Sequence, residues 1–159
     1  MPLWGNQCTP DKINFEWPSQ GLFDFMEPDV SLTSLSLKMQ DSSAISSIQC
    51  ILSNGEISPV FENEGFKGHK HQQTISFESF GQITAVSAHD NNGNWHCCTR
   101  LRFFNSESQV CEYNPFNRGE MGTEHWLAEN EELIGVYGQK DTHNYIDSLG
   151  FIVKVKQLK

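Results

Sequence analysis

Four clusters in this chain hold residue types that could do chemistry. His69 and His71 flank Lys70, and alternation along a strand would aim both imidazoles the same way, as half of a zinc site requires. No cysteine or carboxylate follows at ligand spacing, so no metal is expected. Asp90-Asn-Asn-Gly-Asn94 has the oxygen donors of part of a calcium loop but lacks the closing Glu, and its composition is that of a tight turn. His96 precedes Cys97 and Cys98, which suggests a thiol nucleophile beside its base. Adjacent strand residues point to opposite faces, however, and a working Cys–His pair is assembled by the fold and not by sequence neighbours. Glu129, Glu131 and Glu132 could be paired carboxylates. A charge run where a strand begins is ordinarily solvated, and nothing here supplies the opposed carboxyls, about 5–9.5 Å apart, of a glycosidase. The chain is therefore expected to be no enzyme and to carry no cofactor.

The elements that would position such residues are strands, and one strand-like phrase occurs three times: Ala44-Ile-Ser-Ser-Ile48-Gln-Cys50, Gln82-Ile-Thr-Ala-Val86-Ser-Ala88 and Glu132-Leu-Ile-Gly-Val136-Tyr-Gly138. Each lies beside a second apolar strand, Ser34–Leu37 before the first, Thr99–Phe104 after the second and Asp147–Ile152 after the third. Aligning Ile48 with Val86 and Val136 gives intervals typical of repeat architectures. Three related β-hairpins follow, with Ile48, Val86, Leu101, Phe103, Val136, Leu149 and Phe151 expected to face a common core.

Composition sets the limits. At 159 residues, with 11 Phe, the chain can form one domain with a substantial core. Its net charge of −9 opposes phosphate backbones and anionic lipid, so neither nucleic acid nor a membrane surface is an expected partner. Lys154, Lys156 and Lys159 form the only basic cluster and read as a solvated or protected sheet edge. The five cysteines, an odd number with one adjacent pair, do not suggest a disulfide framework. The first ten residues have no charged or apolar leader pattern, and no run approaches the ~20 apolar residues of a membrane span. A cytoplasmic location is the resulting expectation.

Three of the six prolines, with Trp4 and Trp17, fall within residues 1–20. Residues 1–16 are read as an extended arm docked on the domain. Alternation begins after Val30; Ser53-Asn-Gly-Glu56 is a turn, residues 61–71 a polar surface loop, and Ile75–Phe77 a short strand. The Asn-Gly run at 90–94 predicts a hairpin. A helix over Trp126–Glu132 is rejected because Gly135, Val136, Tyr137 and Gly138 follow at once. The fold class is all-β.

Five segments then resemble, in order, the jacalin-related lectins: Gly21-Leu-Phe-Asp24, Ile45 to Gly55, Ile75 to Val86, Tyr113-Asn-Pro-Phe116 with Gly122-Thr123, and Leu133 to Gly138 followed by Tyr145 to Gly150. The likeness covers nearly the whole chain, with the domain placed at 17–157. It implies a β-prism I fold, three four-stranded Greek-key sheets with pseudo-threefold symmetry. It also implies a sugar held by loops at one end of the prism.

The family builds its sugar site from a Gly-rich loop near the N-terminus, a hairpin loop after the second phrase, and a Gly-x-x-x-Asp loop in the last hairpin. Carried onto this chain, these are Gly21, then His89, Asp90 and Asn91, then His143, Asn144, Tyr145 and Asp147. Asp147 is the principal hydroxyl acceptor. The chain departs from the pattern at His143, which stands where the family keeps Gly, and at Pro18-Ser-Gln-Gly21, which lacks a double Gly. The resemblance implies a carbohydrate or glycan partner and a non-catalytic lectin. A second reading keeps the prism but loses the sugar, making the domain a protein–protein module of a larger assembly. The sequence leaves the oligomeric state open.

Overall fold

The computed structural model describes residues 4–5, 13–24, 26–39, 45–62, 67–88, 100–115, 124–140 and 146–156, with the backbone alone for Trp4, Gly5 and Asp147. Twelve strands and one short helix are seen among these residues. The first sheet to close in sequence contains β3 (Leu32–Met39), β4 (Ile45–Leu52), β5 (Phe61–Glu62) and β6 (Lys70–Ser76), in the order β5-β4-β3-β6. The second contains β7 (Ile83–Ala88), β8 (Leu101–Asn105), β9 (Val110–Tyr113) and β10 (His125–Trp126), in the order β10-β7-β8-β9. In the third, the hairpin of β11 (Glu131–Lys140) and β12 (Ile146–Val155) is flanked by β2 (Ile13–Trp17) and β1 (Trp4–Gly5), in the order β1-β12-β11-β2. All pairings are antiparallel. Each sheet is a Greek key, three strands in succession and a fourth returning beside the first, and the third sheet is the same unit cut open and closed by the N-terminal strands. The expected β-prism, all-β with three four-stranded sheets, is the fold. The described residues of the segment read as an arm fall in β1 and β2, the two outer strands of the third sheet.

The pseudo-threefold symmetry is visible in the hydrogen-bond register. Each central hairpin carries one extra residue near the start of its first strand: the pairing steps past Thr33 in β3, Thr84 in β7 and Ile134 in β11. Such bulges bend a strand and turn its side chains. At two of them the threonine hydroxyl donates across the hairpin, Thr33 to Ile51 O at 3.1 Å and Thr84 to Phe104 O at 3.3 Å. Counting from the bulges, the equivalent core positions are Leu35, Val86 and Val136, paired with Cys50, Phe103 and Phe151. Aligning Ile48 with Val86 was thus one strand off, because Ile48 lies in the second strand of its hairpin and the other two phrases lie in first strands. Both strands of the first hairpin are apolar on the core face, and sequence likeness alone chose the wrong one. All seven residues expected in the core are fully buried. Phe103 joins two sheets, meeting Phe151 edge-on at 5.5 Å and Phe77 at 5.0 Å.

Local chemistry matches the expected Ser53–Glu56 turn and adds one short helix. At Ser53–Glu56 the Gly55 amide donates to Leu52 O, Glu56 N to Asn54 Oδ1, and Gly55 takes a φ of +89°, which its missing Cβ permits. The residues rejected as a helix, 126–132, are the end of β10, a turn and the start of β11. Among the described residues the one helix is α1 (Gln20–Asp24), a single turn in a segment for which the sequence predicts none. Ser19 begins it, its carbonyl accepting from Phe23 N at 2.8 Å and its hydroxyl from Leu22 N at 3.4 Å.

Candidate functional site

The hairpin ends share one end of the prism. Lys140, the last residue of β11, donates from Nζ to Glu62 O on β5 at 3.0 Å, and Tyr113, opposite Leu101 at the start of β8, donates its hydroxyl to His71 O at 2.9 Å. The strand ends that bound 40–44, 89–99 and 141–145 therefore lie together. His89, Asp90 and Asn91 and His143, Asn144 and Tyr145 fall in those segments, outside the described residues. So does the rest of the Asp90–Asn94 turn, and so do His96, Cys97 and Cys98.

Asp147 is set apart by the backbone. Lys140 pairs with Ile146 and Gln139 with Ser148, so the ladder steps past Asp147 and leaves it as a bulge in β12 one residue from the hairpin segment. Ile146 and Ser148 on either side are both buried. The symmetry-related bulge is Ser46 in β4, where Met39 pairs with Ile45 and Lys38 with Ser47. Bulges of this kind are common beside functional sites because they re-aim a side chain.

Gly21 does not join this end. In β2, Ile13 pairs with Lys140 while Trp17 pairs with Val136, so the chain leaves β2 heading away from the hairpin loop and into α1. Beyond α1, Pro28 O and Val30 O both accept from Lys154 Nζ, and Lys154 is next to Val155, which pairs with Glu131 at the far end of β11. Gly21 is exposed within a helix, with a φ outside the left-handed region and open space where a Cβ would stand. A single turn of helix at the wrong end corrects its placement beside Asp147. The described residues on either side of 6–12 are at the hairpin end, Gly5 opposite Ser148 and Ile13 opposite Lys140.

Beneath the hairpin end lies an arrangement that the sequence reading missed. Ser46 Oγ is 2.8 Å from His69 Nδ1, and His69 Nε2 is 3.2 Å from Glu62 Oε2. Burial lowers the His69 pKa from its ordinary 6.5, against the opposing field of Glu62, while Lys38 adds to the lowering. Ser46 is almost wholly buried, so the group ties β4, β5 and the lead into β6 together and does not present a nucleophile. His69 and His71 do not alternate as a metal pair would: His69 precedes β6 and His71 has a φ of +50°. No cluster of metal-ligating side chains occurs among the described residues.

The other chemistry-bearing residues have structural roles. Glu131 accepts from Ala128 N at 2.6 Å, and Glu132 lies 3.7 Å from Lys154 Nζ and 3.3 Å from Lys156 Nζ. Lys154, expected on a solvated edge, is buried on a central strand and spends two of its protons on the Pro28 and Val30 carbonyls. Burial lowers its pKa, with Glu132 opposing. Cys50 is a free thiol that burial pushes up to about 12, and Cys111 is also free. No helix among the described residues is long and apolar enough to cross a membrane.

Comparison with known proteins bears on all of this. A search of curated protein sequences finds no match. Among solved structures, frutalin from Artocarpus incisa superposes with a TM-score of 0.65 at 17% identity, covering 98% of this chain and 94% of that one. A mannose-binding jacalin-related lectin from Ananas comosus gives 0.64 at 15%, covering 98% and 96%. A lamprey immune protein gives 0.64 at 20%, and there this chain, covered over 99% of its length, spans only 44% of the other. At these identities the likeness is one of fold. The sequence itself matches the model of the jacalin-like lectin domain over residues 15–152. With a prism of three Greek keys and a family match across most of its length, the chain belongs to the jacalin-like lectin domain family, whose members are non-catalytic.

Proposed function

We propose that this protein binds carbohydrate at the hairpin end of the prism, with the Asp147 carboxylate as principal acceptor for adjacent sugar hydroxyls. Asn144 and Tyr145 flank it, His143 stands beside them, and His89, Asp90 and Asn91 form a facing wall. The observation that carries the reading is the β12 bulge, which takes Asp147 out of the ladder at the edge of the hairpin segment. An ionised carboxylate accepting two hydroxyls, with an aromatic face over the C–H surface, is the chemistry a neutral polyol needs. The charge of −9 favours neutral glycans over sulfated or sialylated ones.

A glycan array tests this. A coherent group of neutral hits is expected, and Asp147→Ala should weaken them about 10- to 150-fold by removing a charged acceptor. His143→Gly should leave binding intact or improve it. A silent array, together with a stoichiometric protein partner on purification, would instead support the protein–protein module.

A further inference from the structure

The opposite end of the prism holds a cavity of about 320 Å³ on the pseudo-threefold axis. Its floor is Leu32, Ile83 and Leu133, the residues that immediately precede the three equivalent bulges, together with Phe77. One apolar side chain from each sheet thus converges on the axis. The rim is polar, with Glu78, Gln82, Glu132 and Lys156. Glu132 is the fixed member: Oε2 is withdrawn from solvent on the Lys154 side, and Oε1 faces Lys156, which is itself nearly half exposed. An exposed lysine held by one ion pair is readily exchanged for another cation, because such surface pairs contribute little.

We propose that this cavity binds a small amphipathic cation, a primary ammonium on an apolar body. The body rests on the Leu32–Ile83–Leu133 floor, and the ammonium takes the place of Lys156 at Glu132 Oε1, with Glu78 as a second acceptor. The volume suits a ring with a short chain and is too small for a peptide or an oligosaccharide. Buried Lys154 already faces Glu132 Oε2, so displacing the exposed Lys156 leaves the rim with one uncompensated carboxylate, which in a chain of net charge −9 favours a cation over an anion. The site is separate from the hairpin end and does not depend on glycan binding there.

The probe is phenethylammonium, titrated into the ¹⁵N-labelled protein with amide shifts followed by NMR and phenylpropionate as the anionic control. Saturable shifts are expected at Gly81, Gln82, Leu32 and Leu133. Lys156→Ala should tighten binding, by freeing Glu132. Glu78→Gln and Glu132→Gln should each weaken it, the latter about tenfold. Glu132 also faces buried Lys154, so if its variant does not fold, the opposite effects of Lys156→Ala and Glu78→Gln decide. Equal or stronger binding of phenylpropionate, no saturable shifts at this end, or tighter binding in Glu78→Gln would overturn the proposal.

Discussion

His69 shows how one buried residue couples this fold to pH. Its ring bonds the bulged Ser46 and faces Glu62, and burial lowers its pKa below 6.5. The unfolded chain therefore takes up this proton before the folded one does as the pH falls through 6.5. The stability associated with the neutral ring is complete above that value and is lost progressively below it, toward the lower folded pKa. Urea midpoints should accordingly fall between about pH 7.5 and pH 5.5, and His69→Gln should flatten part of that decline. An identical pH slope in the variant would show that the ring does not titrate as its burial dictates. Nothing in the sequence signals the Ser46–His69–Glu62 group. It depends on a bulge at Ser46, and serine beside isoleucine in an alternating run reads as an ordinary outward position.

At the scale of elements, the glycines of the third phrase explain how β2 reaches β11. A Cβ on Gly135 would stand 2.0 Å from Trp17 O and 2.5 Å from Pro18 Cδ, and one on Gly138 would stand 2.1 Å from Ser148 O and 2.9 Å from Phe15 Cζ. Backbone oxygens cannot give way as a flexible side chain can. Gly138→Ala should cost about 2–4 kcal/mol by chemical denaturation, through strain in a packed core. Gly21→Ala, with open space around it, should change stability by less than about 1 kcal/mol and leave glycan binding unaltered. A strong loss of binding in Gly21→Ala would contradict its placement in α1. The hairpin strands, the Ser53–Glu56 turn and the core faces were legible in the sequence because period-two alternation and an Asn-Gly turn are local signals. The position of Gly21 was not, since the likeness to a Gly-rich loop concerned composition, and only the β2–β11 register shows which way the chain leaves the strand. Likewise Lys154 reads as surface until the Pro28 and Val30 carbonyls are seen to meet it.

For the molecule as a whole, the third sheet is closed by the start of the chain, with β1 and β2 covering both sides of the β11–β12 hairpin. Removing residues 1–17 would expose two long edges and uncover Phe61, which stacks on Phe15 at 4.8 Å. The truncated chain should lose its cooperative thermal transition or aggregate, and an unchanged melting temperature would show the strands to be dispensable. The same closure puts Gly5 opposite Ser148 and Ile13 opposite Lys140, so the ends of β1 and β2 lie at the end of the prism where sugar is proposed to bind. The most direct test of that proposal is amide-shift mapping by NMR with the best neutral sugar from the array. Shifts should concentrate at Lys140, Ile146, Asp147 and Ser148 and vanish in Asp147→Ala, leaving Gly21 and Leu22 unmoved. Shifts centred on α1, or binding indifferent to Asp147→Ala, would contradict it.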